Sequence, residues 1–307
     1  MIRVLSLVAV ALLAAPCHAQ FKNGFDLRDS AIDPALIENG GPGRDGIPSI
    51  DSPKFLAADE ADFLDERDRV IGVQHAGVAK AYPIRILDWH EVVNDDFAGN
   101  GVLVTYCPLC GTGMVFGVDY GEVGTFGVSG LLFNSDVLLY DRRTESLWSQ
   151  IMSRAISGPM KGATLEQVPA RHTTWGDWRR QHPGTLVLST DTGHRRNYSV
   201  SPYLGYARSP GLMFGVERQS DELPAKEWVL GVTVGERHKA YPLSALAELG
   251  AERFEDDLGG ETLTIVWSES GNTAHALDES GEEYPTVLAF WFAWYTFHPD
   301  TEVFEVE

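Results

Sequence analysis

Cysteine is almost missing from this chain, with three residues in 307. Cys17 falls in an apolar leader, so Cys107 and Cys110 are the whole thiol inventory of the body. That excludes a fold built on a disulfide framework. A single bridge between the two would close a loop of about four residues and add only roughly 2 kcal/mol by loop entropy. Positive charge is also short: 24 Lys and Arg stand against 44 Asp and Glu, a formal net charge of −20. Arg179-Arg180 and Arg195-Arg196 are isolated pairs rather than a stripe. Such a surface repels phosphate backbones and anionic membranes, so nucleic acid is not expected as a partner. There is no glycine-rich phosphate loop, and no later segment is apolar enough to span a bilayer.

The N-terminus, MIRVLSLVAVALLAAPCHAQ, puts Arg3 ahead of an apolar run from Val4 to Ala15 and then small residues ending at Ala19. This is the pattern of a secretory signal peptide over residues 1–19, and the mature protein is expected to be periplasmic or secreted. Pro16 before Cys17 makes a poor lipid-attachment box.

Residues 20–68 are rich in Gly, Pro and Asp, as in GGPGRDGIPSIDSP, and read as an extended N-terminal arm. From Val70 onward, short apolar runs such as VIGV, GVLVTY and TFGVSGLLF alternate with glycine-containing turns, the pattern of a β-rich body. Helices are expected only at 84–93, 174–181 and 242–249, and the aromatic run FWFAWYTF (290–297) reads as a buried strand. VIGV (70–73) followed by Lys80-Ala81-Tyr82-Pro83 recurs as VLGV (229–232) followed by Lys239-Ala240-Tyr241-Pro242, at a constant offset of 159 residues. The expected fold is therefore α+β and β-rich: two related β-lobes from an internal duplication, over 69–225 and 226–307, with a few short helices. The first would carry the thiols and a connecting Trp/Gly-rich segment.

Chemistry concentrates in Tyr106-Cys107-Pro108-Leu109-Cys110-Gly111-Thr112. A C-P-x-C-G turn between two β-runs points both sulfurs at one place, and its glycine accepts the strained backbone, as in a metal knuckle. A redox CxxC pair normally opens a helix, whose N-terminus lowers the first thiol's pKa. Gly111-Thr112-Gly113 is a poor helix start. The readings open here are a metal knuckle, a redox pair formed by Cys107 and Cys110, and a plain disulfide. No further cysteine can complete a four-thiolate site, so histidine, methionine or a carboxylate must supply the remaining ligands. Thiolate with imidazole or thioether suits copper, with zinc the alternative. His90 is the first candidate because it opens the short link into the thiol-bearing strand, ahead of Met114 and then His194. Asp191-Thr192-Gly193 spells the aspartic-protease triplet but lacks a matching second carboxylate. The glycines around Ser129 miss the nucleophile-elbow spacing.

DGIPSIDSPKF, HEVVND, YCPLCGT, SGLLFNSDVLLYDRRTESLWSQ and the terminal FWFAW together resemble a family of exported bacterial and archaeal proteins of unknown function, marked by the YCPLCGT turn. The resemblance covers nearly the whole mature chain and implies family membership but no activity. It places Ser129, Asp141, Arg142 and Trp148, with His90 and the cysteines, in signature segments. Three functions follow as expectations: an exported copper-binding protein, a periplasmic thiol-disulfide oxidoreductase, or a non-enzymatic assembly module that meets a protein partner and uses its cysteines as a brace.

Overall fold

The computed structural model describes residues 20–306; the signal peptide expected over 1–19 lies outside the described residues. The two-lobe expectation is overturned. The strands form five sheets of four or five strands, plus a two-stranded ribbon near the N-terminus, and the architecture is a five-bladed β-propeller.

Blade 1 contains Phe55–Ala57, Arg69–His75, Val78–Pro83, Ala170–Thr174 and Leu186–Leu188. Blade 2 contains Val92–Phe97, Asn100–Cys107, Thr112–Gly117 and Glu166–Val168, and blade 3 Ile37–Asn39, Phe126–Phe133, Asp136–Asp141, Leu147–Ser149 and Arg154–Ser157. Blade 4 contains Trp228–Val234, Arg237–Pro242, Thr286–Phe290 and Glu302–Val303, and blade 5 the strands from Arg253–Leu258 to Glu283–Tyr284. Each seam carries its own contact. Lys80 and Tyr82 bind Asp95 across blades 1 and 2. Asn94 and Phe126 exchange two hydrogen bonds across blades 2 and 3. Phe133 meets Phe297, on the helix leaving blade 4, edge to face. Lys239 and Tyr241 bind Asp256 across blades 4 and 5. Arg171 pairs with Glu283 across blades 5 and 1.

The sequence echo lies in blades 1 and 4, not in two lobes. In both, the repeated run is a hairpin strand whose partner ends in Lys-Ala-Tyr-Pro, a short helix follows, and a distant strand joins in parallel, Leu186–Leu188 in one and Glu302–Val303 in the other. The element explains itself chemically: its lysine and tyrosine converge on one aspartate of the next blade. Tyr82 and Tyr241 are both fully buried. The echoed glycines make room for tryptophan, since a methyl group on Gly72 would lie 2.3 Å from Trp178 and one on Gly231 2.3 Å from Trp294. Such close approach is a use only glycine can serve.

Trp294 also corrects the reading of the aromatic run, because Trp291–Phe297 is a helix. Trp291 and Trp294 fall one turn apart and both are buried, and a segment that is apolar on nearly all sides gives no period to separate helix from strand. The helix expected over 84–93 is a single turn, Ile84–Leu87, while those near 174–181 and 242–249 form as Trp175–Gln181 and Leu243–Leu249. Within the arm, Ile37–Asn39 and Phe55–Ala57 are edge strands of blades 3 and 1.

Candidate metal centre

The thiols sit where blade 2 turns. Cys107 ends the strand Asn100–Cys107 and pairs with Thr112, the first residue of the next strand. Between them the chain reverses through Pro108-Leu109-Cys110-Gly111. Gly111 has φ +66 and faces the Trp228 ring, which a methyl group there would approach to 2.6 Å. The Cys110 carbonyl accepts the Phe290 amide at 2.9 Å, which ties the turn to blade 4. Gly111→Ala should therefore combine left-handed strain with a ring clash and cost about 2–3 kcal/mol. Thermal unfolding beside the wild type checks this.

A second hairpin closes over the sulfurs. Asn134 and Ser135, both with positive φ, join Phe126–Phe133 to Asp136–Asp141 in blade 3. The Ser135 carbonyl accepts from both thiols, at 3.6 Å from Cys107 Sγ and 3.4 Å from Cys110 Sγ. Asp136 follows, and one of its carboxylate oxygens lies with the two sulfurs in a group no more than 4.8 Å across. All three residues are buried. Asp136 Oδ2 accepts the Ile151 amide at 3.0 Å and the Ser149 hydroxyl at 3.3 Å, whereas Oδ1 is buried with no hydrogen-bond partner. Burial pushes the Asp136 carboxyl up to about 7. Burial likewise raises the Cys110 thiol well above its ordinary value, and the neighbouring Cys107 adds to the effect.

Glu91 lies next to this group. Val92 pairs with Thr105, and one step back the Glu91 carbonyl accepts the Tyr106 amide at 2.8 Å, beside Cys107. Its carboxylate is buried and accepts one hydrogen bond, from Tyr203 Oη at 3.2 Å. Burial lifts this carboxyl to about 8, with repulsion from Asp88 and Asp136 contributing. Among the described residues no lysine, arginine or histidine is hydrogen-bonded or ion-paired to Asp136 or Glu91. The two thiols and the Asp136 carboxyl thus form a buried group without a countercharge, with Glu91 outside its 4.8 Å span, an arrangement that suits a bound cation.

The other sequence candidates fall elsewhere. His90 is fully buried, but its Nδ1 bonds the Pro48 carbonyl and its Nε2 the Tyr198 hydroxyl, each at 2.7 Å. Burial holds it down at about 4. Glu91, the next residue, has φ +58. His194 is exposed and packs its ring 5.3 Å from His90. Met114 is buried on the same face of the hairpin as Cys107, within the surrounding apolar cluster. The signature residues brace blade 3. Ser129 Oγ bonds the Leu138 carbonyl, Trp148 Nε1 donates to Asp141 Oδ2 at 3.0 Å, and Arg142 donates to Ser49, Asp51 and Thr125. Asp136 and Glu91 went unnoticed in the sequence, although both stand inside quoted signature segments, NSD and HEVVND.

Fold and centre together define a class: a β-propeller with a buried dithiol-carboxylate cluster at a seam between blades. The chain belongs to a family of proteins of unknown function, DUF3179, whose model matches residues 44–301. No curated protein and no solved structure matches it. No helix of the described residues is long and apolar enough to cross a membrane.

Proposed function

We propose that this is an exported metal-binding protein that holds one thiophilic ion on Cys107, Cys110 and Asp136. The observation that carries the reading is the 4.8 Å group of two sulfurs and a carboxylate oxygen, with Asp136 Oδ1 buried and unpartnered. The expectation of copper leaned on imidazole or thioether as the third donor. A carboxylate beside two thiolates is a harder set and favours zinc, with copper second. The oxidoreductase reading is weaker because the CxxC turn joins two strands rather than opening a helix.

Metal analysis of the protein purified from the exported fraction tests the reading. One zinc or copper per chain is expected, and Cys107→Ser and Cys110→Ser should each fall below a tenth of that content. A wild-type protein that is metal-free, and takes up neither ion after reduction, removes the proposal. Thiol trapping in the same sample then shows whether Cys107 and Cys110 form a disulfide couple instead.

A further inference from the structure

Three donors leave a tetrahedral ion one ligand short, and one more buried acid, Glu91, stands outside the 4.8 Å group with its carboxylate turned to Tyr203. We propose that Glu91 is the fourth ligand, so that the centre is Cys107, Cys110, Asp136 and Glu91, and that its carboxylate leaves the Tyr203 hydroxyl when the ion binds. This rests on the metal reading above and deepens it.

The backbone supports the assignment first. Glu91 is joined through its carbonyl to Tyr106, the residue before Cys107, so its backbone is held across the ladder from the approach to the first thiol. It adopts φ +58, a conformation costing a non-glycine residue on the order of 1 kcal/mol that persists only where the surroundings impose it. His90, the residue before it, is bonded at both ring nitrogens to Pro48 and Tyr198 and is spent. The side chain supplies the second argument. This glutamate, 5% exposed, holds a single 3.2 Å hydrogen bond from a neutral donor and no cationic partner. The tyrosine is a neutral donor that a metal displaces readily.

Two sulfurs and two carboxylate oxygens form a set for a divalent ion of zinc type, not for a cuprous ion, which prefers sulfur and imidazole.

Zinc affinity of the wild type and of Glu91→Gln, measured by competition with a chromophoric chelator, tests the assignment together with the visible spectrum of the cobalt(II)-loaded proteins. Glu91→Gln should bind zinc at least tenfold more weakly, with changed cobalt d–d bands and retained sulfur-to-cobalt charge transfer. Tyr203→Phe, which frees Glu91, should bind as tightly as wild type or a few-fold tighter. Unchanged affinity and an unchanged cobalt spectrum in Glu91→Gln would overturn the fourth ligand while leaving the three-donor site intact. A wild type that binds neither ion fails the parent reading instead. If Glu91→Gln does not fold by circular dichroism, Glu91→Asp decides: it keeps the charge but shortens the reach, so it must bind more weakly with shifted bands, and wild-type behaviour would equally overturn the assignment.

Discussion

Asp136→Asn should lose the metal and, in chelator at pH 8, give a more stable protein than the metal-free wild type. The buried carboxyl titrates at about 7 in the fold against 3.8 ordinarily. A raised folded pKa means that the native state holds the proton more tightly than the unfolded chain. Its stabilising contribution is complete below about pH 4 and is lost as pH rises through 7. Above pH 7 the difference amounts to on the order of 4 kcal/mol, at about 1.4 kcal/mol per pH unit. Asparagine keeps the shape and never ionises. Its midpoint at pH 8 should rise by roughly 5–10 °C, and the gap should close towards pH 4. Buried histidines oppose this trend. His172, His275 and His298 sit at about 3, each held down chiefly by burial. Their stabilisation is present above 6.5 and is lost as pH falls below it. Metal-free wild type should therefore be most stable between the two regimes, and Asp136→Asn should extend the optimum upward. A variant less stable than wild type at pH 8 refutes the uncompensated carboxylate.

Asp95→Ala should be the most damaging single change at a blade seam, at about 3–5 kcal/mol. Lys80 Nζ lies 2.8 Å from Asp95 Oδ2, with the two side chains only 8% and 6% exposed, and the ammonium rests between the rings of Phe55 and Phe97. Removing the aspartate strands a buried cation and orphans the Tyr82 hydroxyl. The same substitution at Asp256 should cost under half as much, because Lys239 and Asp256 are 14% and 18% exposed. Chemical denaturation of both variants gives the comparison, and equal losses would show that burial does not set the cost.

Much of this molecule was legible in its sequence, but locally. The β-rich body, the strand–turn–strand setting of Cys107 and Cys110, and the family followed from alternation, glycine placement and motif. Ring closure did not, because a hairpin carries no mark of how many neighbours will enclose it. The Lys-Ala-Tyr-Pro echo was visible, yet nothing in Lys80 or Tyr82 announces Asp95 as their common partner. Asp136 escaped because an aspartate in Asn-Ser-Asp after a strand reads as turn chemistry. Glu91 escaped because its burial and left-handed backbone are facts of the folded chain rather than of residue type.

The sulfurs belong to blade 2 and the carboxylate to blade 3, and the reciprocal pair between Asn94 and Phe126 pins those two sheets together. Donor spacing is consequently not a property of any one loop. A few degrees of relative rotation about that pin would widen or narrow the gap between Asp136 and the thiols, making inter-sheet angle a coordination parameter. An ion held there as proposed would thus be selected in part by residues that never approach it.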